Sequence, residues 1–345
     1  MNVRERIEAV WAGEQPDRIP ITLYEWLYYQ TGNDPAWQPL FDKGLGFMYH
    51  IPTVVERYEG GVEKRDEEFE AEGIKHKREI WRTPVGEISQ VWAAGWRRKH
   101  LIETREDYRV MTYIARHTRL EPCYREYEAR VAALRPWEVP TSYASRTPMQ
   151  QILVDYVGLE NFALHLYDFE DEIPELYAAL LEVFARRIDL VAGSRCRYVA
   201  IMENFSAETM GPQRFSEFHM PVYRKYFPIL QQAGKIVGTH FDGKLAVCRD
   251  LIANAPIDVI ESLTPPPEGD MTLAECRTAW PDKQFWVNLN VSAYGLPPDE
   301  LRTYVRDLVR QAAPDGRRLA FEISEDVPPN WKISVPIVLD VLRDM

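Results

Sequence analysis

Cysteine is scarce: four in 345 residues, none in a CxxC pair, so neither a thiol metal cluster nor a disulfide framework is spelled out. Cys123, Cys196, Cys248 and Cys276 lie far apart, which fits a chain kept in a reducing cytoplasm. Glycine-rich phosphate loops of the P-loop or dinucleotide type are missing, and so is a GxSxG elbow; ATP- and nicotinamide-dependent chemistries lose support accordingly. Positive charge is in short supply. With 41 bases against 53 acids the formal charge is −12, which argues against a nucleic-acid face but leaves room for local arginines to hold a small acidic substrate. No run approaches the length of a membrane span. The opening MNVRERIEAVWAGEQPDRIP is charged and helical in pattern, without an apolar signal core, so a cytoplasmic protein that neither enters nor anchors to a membrane is expected.

What is present is a strand–helix rhythm, with 46% hydrophobic residues to build a core. Arg18–Tyr24, Gly44–Pro52 and Glu138–Ser145 read as strands, and five more follow: Tyr198–Asn204, Lys235–Asp242, Asp258–Thr264, Gln284–Asn290 and Arg318–Ser324. Helical patterns separate them, among them 105–115, 121–134, 172–194, 213–232, 244–254, 272–279 and 298–313. Eight βα units predict a (β/α)8 barrel, a doubly wound open sheet being the runner-up. Between residues 54 and 92 charged residues alternate with β-branched and aromatic ones around Gly60-Gly61 and Thr83-Pro84-Val85-Gly86, which predicts inserted antiparallel hairpins. No repeat, linker or low-complexity tract divides the chain, so residues 1–345 are expected to form one domain.

The later strands end on reactive residue types: Glu203, His240, Asp242, Glu261, Asn288, Asn290 and Glu322. In a parallel sheet those tips share one face. His240 and Asp242 are two apart and so project together, with Phe241 opposite; a His beside a carboxylate can bind a divalent metal or form an oriented pair for proton transfer. The plainer reading makes Asp242 a helix cap and His240 a hydrogen-bonded core imidazole. Glu203 and Glu322 each finish an apolar run, where an unpaired carboxylate costs several kcal/mol to bury, so each needs a partner such as a metal or His240; the plainer readings are a helix-capping role before Gly211-Pro212 for Glu203 and a salt bridge to Arg317 or Lys332 for Glu322. Ser324, Glu325 and Asp326 continue the last tip, leaving the position that matters open by a residue or two. Asn288 and Asn290 offer amides to a substrate, and Tyr24, Trp26, Tyr28 and Tyr29 would line the same mouth with rings.

Four segments together resemble the uroporphyrinogen decarboxylase superfamily: Arg4-Glu5-Arg6-Ile7 with Asp17-Arg18-Ile19-Pro20; Glu203–Phe227; His240-Phe241-Asp242-Gly243; and Asp315-Gly316 with Phe321–Pro328. The likeness spans about residues 3 to 340 and implies a (β/α)8 barrel. The heme-pathway decarboxylases of that family place arginines after the first strand. Here that stretch reads Tyr24-Glu25-Trp26-Leu27-Tyr28-Tyr29-Gln30, which does not suit an octa-acid. The cobalamin-dependent methyltransferase branch binds zinc through His-x-Cys at the fifth strand and Cys at the eighth, where this chain has His240-x-Asp242 and Glu322.

The resemblance therefore implies a methyltransferase-like enzyme with zinc on His240, Asp242 and Glu322, moving a methyl group from a small methoxylated compound to a corrinoid carried by a separate protein. Oxygen ligands leave a metal more Lewis acidic, which suits polarising an ether oxygen. Glu203, His240 and Asp242 would serve as the acid–base set, with Glu203 protonating the leaving oxygen; Asn288 and Asn290 would orient the donor, and Tyr24 and Trp26 would pack on its ring. Alternatives are a cofactor-free decarboxylase with Asp242 as proton donor and a barrel that binds a ligand without turnover. Dimerisation is common among relatives, so a homodimer is an expectation by analogy.

Overall fold

The strand–helix rhythm closes on itself. In the computed structural model, which describes residues 1–345, fourteen strands form. They are β1 (Ile21–Tyr24), β2 (Leu45–His50), β3 (Val54–Tyr58), β4 (Glu63–Ala71), β5 (Ile74–Thr83), β6 (Gly86–Ala93) and β7 (Trp96–Lys99). Then come β8 (Thr118–Pro122), β9 (Glu138–Tyr143), β10 (Tyr198–Ile201), β11 (Ile236–His240), β12 (Val259–Leu263), β13 (Gln284–Asn288) and β14 (Leu319–Glu322). Eight of them, in the order β1-β14-β13-β12-β11-β10-β9-β2, make a closed, wholly parallel barrel. Each falls within one of the eight strands expected from the sequence but is shorter, so that Glu203, Asp242 and Asn290 lie just past the strand ends, and the open-sheet alternative falls because β1 pairs on both sides, with β14 and with β2. The inserted hairpins are present as the antiparallel sheet β4-β5-β6-β7, which runs on to Lys99.

By contact the chain divides into two compact units. Unit 1 comprises Met1–Thr53, Tyr124–Tyr143 and Ser194–Met345 and holds the barrel; unit 2 comprises Val54–Cys123 and Ala144–Gly193. In unit 2 β3 pairs antiparallel with β8, and the helix Arg105–Arg116 packs on Glu172–Ala192. Here a sequence expectation fails. The helix drawn from residue 121 begins at Tyr124, because Thr118-Arg-Leu-Glu-Pro pairs with β3 as a strand and Pro122 ends it.

Inside the barrel, alternate residues point inward and stack in layers. Trp11, from the capped first helix Val3–Trp11, lies parallel to Tyr198 at 5.0 Å and edge-on to Trp286 at 6.1 Å, filling the lower layer with rings. Gly238 is what lets Tyr198 in: a Cβ there would stand 1.9 Å from the phenolic oxygen. Burial of these rings dominates the stability of this layer, at roughly 25 cal/mol per Å2 removed from water. Some helices depart from the expected pattern. The stretch 213–232 opens inside a helix, Ala207–Arg214, that is kinked at Gly211, and is broken by a widened turn at Phe215–His219 before Met220–Gln232, and 244–254 yields only a short turn at Ala246–Cys248 and the helix Arg249–Ala253. No helix is long and apolar enough to cross a membrane.

Candidate metal and acid centre at the barrel tips

The upper layer of unit 1 is polar. Strand register sets His240 beside Glu261 and Asn288 beside Glu322, so the period-two alternation that buries Tyr198 and Trp286 below brings these residues inward above. His240 is 2% exposed and Glu261 1%. His240 Nδ1 lies 3.1 Å from Glu261 Oε2, an orienting carboxylate that leaves Nε2 as the free end of the ring. Nε2 lies 3.2 Å from Glu325 Oε1 and 3.6 Å from Asp242 Oδ2, ion-pair contacts neither of which has the geometry of a hydrogen bond. The ligating atoms of His240, Asp242 and Glu325 all lie within 4.8 Å of one another.

Three acids facing one imidazole set its charge. Burial pulls the His240 pKa down, but Glu261, Asp242 and Glu325 outweigh it and the net shift is well upward. Burial pushes Asp242 up, and His240 with Asn204 more than reverses it, so Asp242 is held below the usual carboxylate range. A proton on His240 thus occupies the place a dication would take, and a metal binding there would displace it.

Two strained residues hold the outer acids. Asn204 (φ 47°), just past β10, donates to Asp242 Oδ2 at 3.0 Å, and Ser262 (φ 57°), at a bulge in β12, donates its hydroxyl to Glu325. Left-handed backbone at non-glycine residues costs about 1 kcal/mol or more each and gathers where side-chain aim matters. Gly243 serves the same end: a Cβ there would meet Ser206 Cβ at 2.4 Å and the Phe205 carbonyl at 2.8 Å, so only glycine lets the two tip loops touch.

Below this centre Tyr24 bridges two carboxylates. Its hydroxyl lies 2.5 Å from Glu322 Oε2 and 3.0 Å from Glu261 Oε1. One hydroxyl proton cannot serve both contacts, so one of the acids carries a proton. Burial, then the Glu261 charge, pushes Glu322 well above the usual range and makes it the protonated partner; it is fully buried and its Oε1 has no partner. The relay Nε2–His240–Glu261–Tyr24–Glu322 runs inward from the metal-type cluster.

The other expected residues fall in several places. Glu322, read from the sequence as the third ligand, sits in the lower relay, and the acid within reach of His240 and Asp242 is Glu325, three residues on, because β14 ends at Glu322 and the chain then turns back across the tips. Glu203 is fully buried but takes the Tyr223 hydroxyl at 2.8 Å, from the helix Met220–Gln232, while its neighbour Asn204 reaches the cluster. Trp26 stacks on Tyr24 at 4.0 Å, so Tyr24 offers its hydroxyl inward and its ring to Trp26. Asn288 donates weakly to Thr264 at 3.5 Å, with Oδ1 unpartnered; Asn290 is spent on the loop, donating to the Pro265 carbonyl at 3.1 Å and accepting from Tyr304 at 3.3 Å. Phe241 points away into Phe205 and Phe215.

Sequence reasoning passed over His50 and Tyr143, which end β2 and β9 and stack 3.4 Å apart. Burial lowers His50 to about 4, so it is neutral, and raises the Tyr143 hydroxyl. Their one signal was a polar ring closing an apolar strand.

No family model matches this chain, and no curated protein matches it either. Among solved structures, a methyltransferase from Methanosarcina mazei superposes with a TM-score of 0.57 at 12% identity, covering 100% of this chain and 98% of that one. A B12-independent methionine synthase from Shewanella sp. W3-18-1 gives a TM-score of 0.43 at 10% identity, covering 90% and 84%, and a pneumococcal exo-β-D-N-acetylglucosaminidase module 0.39 at 8%, covering 95% and 83%. At these identities what the first likeness establishes is the fold, a full-length α/β barrel of the kind described above.

Proposed function

We propose that the barrel tips bind a divalent metal, zinc by the ligand types, and that the protein transfers a methyl group from a small methoxylated compound to a corrinoid carried by a separate protein. The observation that carries this reading is His240 Nε2: a buried ring nitrogen, oriented by Glu261 through Nδ1, facing two carboxylates at 3.2 and 3.6 Å with no hydrogen bond to either. A shared cation is the partner such a set lacks. The full-length likeness to a methyltransferase barrel and the aromatic wall at Tyr24 and Trp26 favour methyl transfer over other metal chemistry.

His240, Asp242 and Glu325 would hold the ion, which supplies Lewis acidity toward the ether oxygen of the donor. Asn204 and Ser262 keep the two outer carboxylates aimed. Trp26, stacked on Tyr24, packs against the donor's ring. Transfer breaks the methyl carbon–oxygen bond with its electron pair left on oxygen, while the reduced corrinoid of the partner supplies the pair that binds the methyl carbon. Glu322, protonated and bonded to Tyr24, is the group that returns a proton to that oxygen; Glu203, tied to Tyr223, takes no such part. The decarboxylase reading needs Asp242 as proton donor, and His240 and Asn204 hold Asp242 ionised.

The test pairs metal analysis with turnover. Protein purified with zinc should carry about one ion per chain, lost in His240→Ala and in Asp242→Ala with Glu325→Gln. Supplied with 2-methoxyphenol and cob(I)alamin, the wild-type protein should give the absorbance of methylcobalamin. Metal retained in those variants sinks the ligand set; a zinc-loaded protein that demethylates no member of a methoxyarene panel sinks the reaction.

A further inference from the structure

Unit 2 contains a cavity of about 330 Å3 lined only by its own residues. Its lining combines apolar residues, Leu101, Met111, Ile114 and Val183 among them, with a dense set of charges. Each acid there already has a base. Glu56 accepts from Arg187 and from the Tyr58 hydroxyl; Glu79 faces Lys64 at 2.7 Å and takes Trp81 and Gln90 as donors at 2.7 and 2.9 Å; Asp155 faces Arg146 at 3.2 Å. Arg97 is the base left over. Its Nη1 donates to the carbonyls of Val154 and Asp155 at 2.7 and 3.1 Å and lies 3.3 Å from His100 Nδ1, its guanidinium lies 5.4 Å from the Trp92 ring centre, and Asp155 attracts it without a salt-bridge contact.

Three buried atoms at this cavity have no partner: Arg97 Nε, Arg187 Nε and Gln90 Oε1, with Gln90 7% and Arg187 9% exposed. Gln90 cannot be turned to satisfy itself, because its Nε2 is the donor to Glu79. Leaving such atoms bare costs about 1–3 kcal/mol each, so a site this well paired elsewhere is shaped for something that completes it. An arginine with no carboxylate in contact, together with orphan N–H donors, asks for an anionic oxygen. The orphan amide carbonyl asks for an O–H or N–H, and the apolar lining for a hydrocarbon body. The volume sits at the small end of ligand pockets, roughly 300–1,000 Å3, and so admits a single ring or short chain.

We propose that unit 2 binds a small monocarboxylic acid that has an apolar body and one hydroxyl or amino group, its carboxylate on Arg97 and its donor on Gln90 Oε1. This does not depend on the reading of the barrel tips.

Isothermal titration calorimetry of the full chain with 4-hydroxyphenylacetate, phenylacetate and 4-hydroxyphenylacetamide tests it. The hydroxy acid should bind saturably, at least tenfold tighter than its amide and measurably tighter than phenylacetate. Arg97→Gln should weaken the acid tenfold or more, Gln90→Leu should erase the preference for the hydroxylated acid, and His240→Ala should change neither. The ligand comparison on the unaltered protein keeps the test decisive even where a variant folds poorly. Equal affinity for acid and amide, no saturable heat from any probe at millimolar concentration, or loss of binding in His240→Ala would overturn the proposal.

Discussion

Both units bury charge, and they settle it in opposite ways. In unit 2 three acids are matched one to one with Arg187, Lys64 and Arg146, and Arg97 remains over. At the barrel tips of unit 1 four acids, Asp242, Glu261, Glu322 and Glu325, gather on one histidine and one tyrosine. A balanced cluster is a structural device with one opening for an anion. An acid-rich one stands only if protons or a cation make up the deficit.

The contrast breaks most visibly under metal. Zinc should raise the melting temperature of the wild-type protein, since at a hundred times the dissociation constant a bound ion contributes about 2.7 kcal/mol. The rise should vanish in Asp242→Ala; a rise kept there would mean that zinc sits elsewhere. Next in size is Arg187→Met in unit 2. It strands Glu56 beside a half-closed cavity, and because Glu56 is partly exposed the expected loss in urea unfolding is about 2 kcal/mol, short of the full cost of breaking a buried pair. No loss would show that the pairing in unit 2 is incidental.

A pH series separates two histidines of the same barrel. His240 is raised by its acids, whereas His50, with burial as its dominant influence, falls to about 4 from an ordinary value near 6.5. For His50 the folded pKa is the lower one. Between pH 6.5 and 4 the unfolded chain therefore takes up a proton that the folded protein refuses, and stability falls as pH falls through that window, by at most about 1.4 kcal/mol per pH unit. His50→Gln should flatten that decline in pH-dependent unfolding; an unchanged slope would place His50 in water. The smallest effect belongs to Glu322→Gln. An amide mimics a carboxylic acid that is already protonated, so metal-free stability at neutral pH should change by less than about 1 kcal/mol. A large change in either direction would mean that Glu322 is ionised.

Much of unit 1 was readable along the chain. Strand periodicity located all eight barrel strands, and the short spacing of His240 and Asp242 keeps the two side chains 3.6 Å apart although Asp242 lies just past the end of β11. The strand β8 was missed for a local reason too: five residues before a helix with similar composition show their period only when β3 is there to pair with them.

Which acids meet His240 is a different kind of fact. Tyr24 and Glu322 lie 298 positions apart and touch because the barrel closes between β1 and β14. Glu325, and not Glu322, reaches His240 Nε2 because the chain turns past the end of β14, and Glu261 and Ser262 are aimed by a bulge that no pattern of apolar residues announces. The same holds for Arg97, whose lack of an acid partner appears only once every other charge around the cavity has found one. Alternation and turn chemistry act over a few residues and can be read from them; ring closure, loop path and the pairing of charges are set by distances through space.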